Sequence, residues 1–168
     1  MNKSLGTALA FCAFAAFVPA ADAEDDALVS FKIMKPETAL ALAQGALERC
    51  RREGAQVAVA VVDRFGVLQV VLRDQFAGAH APDTARRKAW TAVSFRSDTL
   101  SLSEATKPGS EAYGANFIGD ALMLGGGVPV EAAGSIVGGV GVSGAPSGRL
   151  DDACARAGIE TVADRLAF

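Results

Sequence analysis

Imidazole, phenol and sulfur donors are scarce in this chain. It holds one histidine, His80, and one tyrosine, Tyr113. Beyond residue 23 the remaining soft donors are Met34, Met123, Cys50 and Cys154. A zinc centre needs clustered nitrogen and sulfur ligands at short spacings, and one histidine with two separated cysteines does not supply them. Ser143 lies in "GVSG", which lacks the G-x-S-x-G spacing of a nucleophile elbow, and His80 is remote from it in sequence. A hydrolase triad is therefore unsupported. Behind His80 runs a basic triplet, Arg86, Arg87 and Lys88. Consecutive residues of a helix face different ways, so one or two of the three could meet an anionic ligand while the others face water. Lys88 adjoins the apolar Ala89, and a lysine buried there would need an anionic partner. Asp151 and Asp152 sit where a final helix begins, and helix capping is the expected role for them.

The string "GGVGVSG" contains Gly139, Gly141 and Gly144 in G-x-G-x-x-G order. A dinucleotide-binding unit would need a following helix and then a second parallel strand carrying the ribose carboxylate. Only 24 residues follow Gly144, room for one helix. The glycines are therefore read as part of a strand, where they mark close approach by a neighbouring backbone or ligand.

The elements that must position these side chains are legible in outline. Pro36 and Glu37 open a helix that ends before Gly54, with Leu40, Ala43, Leu47 and Cys50 as its apolar stripe. "VAVAVVDRFGVLQVVLR" reads as a hairpin: Val57 to Val62, a turn from Asp63 to Gly66, then Val67 to Arg73. The first strand is apolar on both faces and is expected to be central. Pro82 and Asp83 begin a second helix through Arg96, faced by Ala85, Ala89, Ala92 and Val93. Ser97 or Asp98 caps a short helix from Thr99 to Ala105, and Thr106 to Asn116 reads as a surface loop. Strands are expected at Ala121–Leu124, Val128–Glu131 and Ser135–Val142, and a last helix at Leu150–Leu166. Short turns cannot join parallel strands, so the class is α+β with an antiparallel sheet.

Residues 1–23 read as a secretory signal peptide: Lys3 precedes an apolar run from Leu5 to Val18, which closes on an A-x-A signal at Ala21 and Ala23. The run is too short for a spanning helix, so no membrane insertion is expected after cleavage. Residues 24–34 form an N-terminal extension, and 35–168 a single domain. A net charge of −3 argues against nucleic acid as a partner. Export to the periplasm or medium would permit a disulfide between Cys50 and Cys154, but both lie in helical patterns that suit a small buried residue. Buried free thiols are the favoured reading, with a bridge as the alternative.

Several segments together, "VAVVDRFGVL", "ARRKAWTAVSF", "GGGVPV" and "IVGGVGVSG" followed by "DDACARAGI", resemble the GlcG/HbpS-like haem-binding family from about Lys35 to Leu166. The resemblance implies a five-stranded antiparallel sheet with flanking helices and frequent homo-oligomerisation. It implies a haem ligand for some members and an association with glycolate or propanediol metabolism for others. On a haem site, His80 would be the axial ligand to iron, and Arg87 and Lys88 would face the propionates. Tyr113 is a second possible ligand, with an aromatic loop anchor as the plainer reading. Without haem, the alternatives are an oligomeric sensory partner, or a small carboxylate bound by the loop Gly125–Gly127 and Lys88.

Overall fold

The computed structural model describes residues 27–167, so the expected signal peptide lies outside the described residues. The order is α1 (Pro36–Arg52), β1 (Ala58–Asp63), β2 (Leu68–Arg73), α2 (Ala81–Phe95), α3 (Thr99–Ala105), a 3-10 helix (Glu111–Phe117), β3 (Gly127–Ala132), β4 (Ser135–Ser143), α4 (Gly148–Glu160) and α5 (Ala163–Leu166). The strands form one antiparallel sheet in the order β2-β1-β4-β3, with β1 central as expected. No helix among the described residues is long and apolar enough to cross a membrane.

Side chains alternate across a strand, and the two sheet faces have been built from different residues. Val57, Val59, Val61, Val130, Val140 and Val142 meet α1 and α4 in the larger core. The opposite face presents Ala58 and Ala60 to Ala81 and Ala85 of α2. Ala60 pairs with Gly141, and Gly141 with Gly127, giving a row without bulk across three strands. Helix α2 lies directly on that row. A Cβ at Gly141 would stand 2.0 Å from the Ala85 carbonyl oxygen, and one at Gly127 2.3 Å from that of Lys88. The G-x-G string is thus a bed for a helix backbone and not a phosphate cradle.

Gly141→Ala should therefore destabilise the fold by about 3 kcal/mol, because the atom it meets belongs to a helix backbone that cannot rotate away. Urea denaturation measures this. Gly114→Ala, where a Cβ meets nothing within 4 Å, should stay within about 0.5 kcal/mol of the parent.

The structure departs from the sequence expectations of the fold at several places, and a 3-10 helix, Glu111–Phe117, stands where a loop was expected. Ala121–Leu124 joins no ladder, so the sheet has four strands among the described residues where five were expected. Hydroxyls on neighbouring helices satisfy its backbone instead: the Leu122 N–H donates to Thr91 Oγ1 at 2.9 Å, and Thr99 Oγ1 donates to the Leu124 carbonyl at 2.7 Å. The last helix is two, broken at Thr161–Val162, where Thr161 Oγ1 donates back to the Gly158 carbonyl. Leu40 is exposed, and the apolar stripe of α1 runs instead through Ala39, Leu42, Ala43, Ala46, Leu47 and Cys50. Cys50 and Cys154 form a disulfide with a Cα–Cα distance of 5.5 Å, overturning the free-thiol reading. Packing of α1 against α4 brings them together, a tertiary event that the local helical patterns do not encode.

Candidate functional site

His80 closes a loop that is fixed from beneath. Asp74, buried at its start, accepts from Arg51 Nε at 2.8 Å and from the Val57 N–H at 3.2 Å. Arg73 Nε donates to the Ala77 carbonyl at 3.0 Å, and the Ala77 methyl is buried against the sheet. The Ala81 N–H returns to the Gly78 carbonyl. His80 itself stands at the N-cap of α2, where its carbonyl accepts from both the N–H and the hydroxyl of Thr84. Its ring lies over Gly78, so closely that a Cβ there would be 2.6 Å from His80 Cε1. The side chain is exposed, and no described residue hydrogen-bonds its ring nitrogens. Phe76, four residues earlier, is 78% exposed on the same loop.

The basic triplet divides as helix geometry requires. Arg86 faces Asp120 with two hydrogen bonds, at 3.0 and 3.2 Å, and also holds Asp83. Its guanidinium keeps the Asp120 carboxyl below the usual carboxylate range. Arg87 donates through Nε to the Asp120 carbonyl and through Nη2 to the Ala121 carbonyl, leaving Nη1 without a described acceptor. Both arginines thereby pin the segment after the 3-10 helix to the first turns of α2. Tyr113 lies in that 3-10 helix, half-exposed, with its ring edge-on to Phe117 at 5.5 Å. No hydrogen bond or ring contact joins it to His80 among the described residues.

Lys88 does not face a ligand. Its side chain is 1% exposed, and Nζ donates to Asp151 Oδ2 at 2.8 Å and to the Val142 carbonyl at 2.9 Å. Asp151 completes its set by accepting from the Ala145 N–H, while Ser147 and not Asp151 or Asp152 caps α4. Burial pushes the Lys88 amine below its ordinary range and the Asp151 carboxyl above its own, and each charge pulls the other back. The loop Gly125–Gly127 does surround this pair: a Cβ at Gly126 would stand 3.1 Å from Nζ. The protein's own carboxylate therefore occupies the place of a bound acid there, which removes the small-carboxylate pocket expected at Lys88.

Two contributors escaped the reading of the sequence. Phe76 had no periodic pattern to mark it, and Asp120 gains its role only when the loop folds back onto α2. Among the described residues no group of three or more His, Cys, Asp or Glu could hold a metal ion by itself.

Comparisons with known proteins bear on what such a surface carries. The family model described as "Haem degrading protein HbpS-like" matches residues 34–160. A crystal structure of HbpS from Streptomyces reticuli, a double mutant, superposes with a TM-score of 0.77 at 40% identity, covering 88% of this chain and 99% of that one. A PduOC:haem complex superposes with a TM-score of 0.72 at 30% identity, covering 77% and 94%. The corrinoid adenosyltransferase PduO of Salmonella typhimurium is 34% identical over 105 residues, which take in 61% of this chain but only 31% of that protein. Matched over most of its length by the family model and along nearly the whole of a solved relative, the chain belongs to the HbpS-like family.

Proposed function

We propose that this protein binds haem outside the cytoplasm, with the His80 imidazole as axial ligand. One observation carries the reading: the chain's only imidazole is exposed, without a described partner for its ring nitrogens, at the head of a helix whose entry loop is held rigidly by Asp74 and Arg73. Preorganisation of this kind lowers the cost of ordering a ligand-binding side chain. Haem in the relative PduOC, and the family description, support the choice of ligand.

The residues suit the group. Haem would supply a Lewis-acidic iron, and His80 would offer it a nitrogen lone pair. Phe76, exposed on the same loop, would offer the macrocycle an apolar surface. Arg87 is seven residues on, hence on the same face of α2 and about 10 Å along it, and its free Nη1 edge would orient a propionate. Tyr113 is the second candidate ligand. His80 and Phe76 are both exposed, so a macrocycle held by them would be open to a further partner. A second copy of the chain as that partner is our reading of why the protein would be a homo-oligomer. The N-terminal leader pattern and a disulfide that requires an oxidising compartment support export.

Titration of the protein with ferric haem should give a saturable Soret band, and His80→Ala should abolish or shift it while weakening binding at least about tenfold. An unshifted band with the same affinity in the variant removes His80 as ligand. No band in the parent removes haem.

A further inference from the structure

At the opposite end of α2 from His80 the structure holds a second concave feature with unusual chemistry. A cleft of about 220 Å³ is bounded by the β1–β2 turn, the C-terminal turns of α2 and the start of β4. Its walls include Arg64, Trp90 and Arg96. Arg49, Arg51, Arg86 and Arg156 each hold a carboxylate, whereas neither Arg64 nor Arg96 has a hydrogen bond or ion pair from its guanidinium to a described residue. The indole N–H of Trp90 likewise has no described acceptor.

These donors are held in place rather than loose. The Arg64 guanidinium carbon lies 3.9 Å above the Phe31 ring and 5.8 Å from that of Phe65. Stacking of this sort engages the face of the guanidinium and leaves its N–H edge available. Trp90 is seated against Gly66, whose φ of 81° and lack of a side chain let the ring approach: a Cβ there would be 2.7 Å from Trp90 Cδ1. Arg96 ends α2 in the left-handed region, with φ 52°. Glycine takes that position without strain, so an arginine there puts backbone strain beside a cleft that its side chain lines.

We infer that this cleft binds a small carboxylate bearing a short apolar chain, its oxygens held by Arg64, Arg96 and the Trp90 N–H, and its chain laid against Val93 and Ile136. Three donor side chains with no described protein acceptor call for an acceptor ligand, and the apolar wall distinguishes a carboxylic acid from a bare inorganic anion. The cleft is smaller than ordinary drug-sized pockets, roughly 300–1,000 Å³, which excludes a tetrapyrrole. Glu131 brings one negative charge to the adjoining rim shared with Arg64 and Arg96, yet pairs with neither. The site stands independently of haem at His80.

Trp90 is the only tryptophan, so its fluorescence reports this cleft alone. Butyrate should change the emission saturably, and butyramide, its uncharged isostere, should not. Arg64→Gln should weaken butyrate at least about tenfold. Arg96→Gly should do the same without lowering the unfolding temperature, since glycine relieves the strained backbone; a purely structural Arg96 would leave butyrate binding intact. His80→Ala should leave it unchanged. Equal response to butyramide, tighter binding of inorganic phosphate than of butyrate, or no saturable change in the parent would overturn the assignment.

Discussion

Replacing Lys88 by methionine should destabilise the protein by about 3–5 kcal/mol at neutral pH, the range for removing one partner of a buried ion pair. The pair warrants that figure because both groups are almost wholly shielded from water and together with Val142 and Ala145 they satisfy one another. The pH dependence separates lost electrostatics from lost packing. Without Lys88, burial of Asp151 is opposed only by the hydrogen bond from the Ala145 N–H, so its folded carboxyl titrates above its unfolded value of about 3.9. Between those two values the folded state holds the proton that the unfolded chain releases, and stability rises as pH falls. The deficit of Lys88→Met should therefore shrink on acidification. Asp151→Asn should behave in the opposite sense: the stranded amine titrates below its unfolded value of about 10.4, and stability recovers as pH rises through that window. Urea titrations of both variants across pH give the two slopes. Deficits that stay flat with pH in both would mean that packing, not charge, is what the pair contributes. The double variant should recover part of each loss, since no charge is left alone.

That pair also marks the boundary of what the sequence discloses. Helix α2, the hairpin and the turn at Gly66 follow from apolar period and turn chemistry, which act over a few residues. A buried Lys88 in need of an anion could be suspected from its apolar neighbour Ala89, but the identity of the anion could not, because Asp151 approaches from 63 residues away. The Ala121–Leu124 stretch has the β-branched-poor but apolar look of a short strand. It stays out of the sheet because Thr91 and Thr99 satisfy its backbone, and nothing in its own residues announces that. Gly141 is the converse case: its strand context could be read locally, and so could the close approach of a backbone, though not which backbone. For the proposed haem surface, His80 is visible in the sequence as the sole imidazole and Arg87 as part of a basic run. Phe76 and Asp120 are invisible, since exposure and loop return are properties of the folded surface alone.

Removing the disulfide, as Cys50→Ala with Cys154→Ala, should cost about 4–5 kcal/mol in equilibrium unfolding. The bridge joins residues 104 apart in sequence, and a closed loop of about that length restricts the unfolded chain by roughly 4.7 kcal/mol in the chain-entropy account. It also ties α1 to α4 at the centre of the main core, where both cysteines are fully buried. Two consequences distinguish it from any other core substitution. Reductant added to the folded protein should have little effect, because a thiolate cannot reach a buried sulfur, whereas reductant present during unfolding should lower the urea midpoint of the parent to that of the variant. The variant's own midpoint should not respond to reductant at all. A parent midpoint that ignores reductant even through the unfolding transition would mean that the thiols were never joined, and the argument for an oxidising compartment would go with it. If the midpoint falls as expected, the proposed export gains support, because a chain whose stability of order 5–15 kcal/mol leans this heavily on one bridge needs surroundings in which the bridge persists.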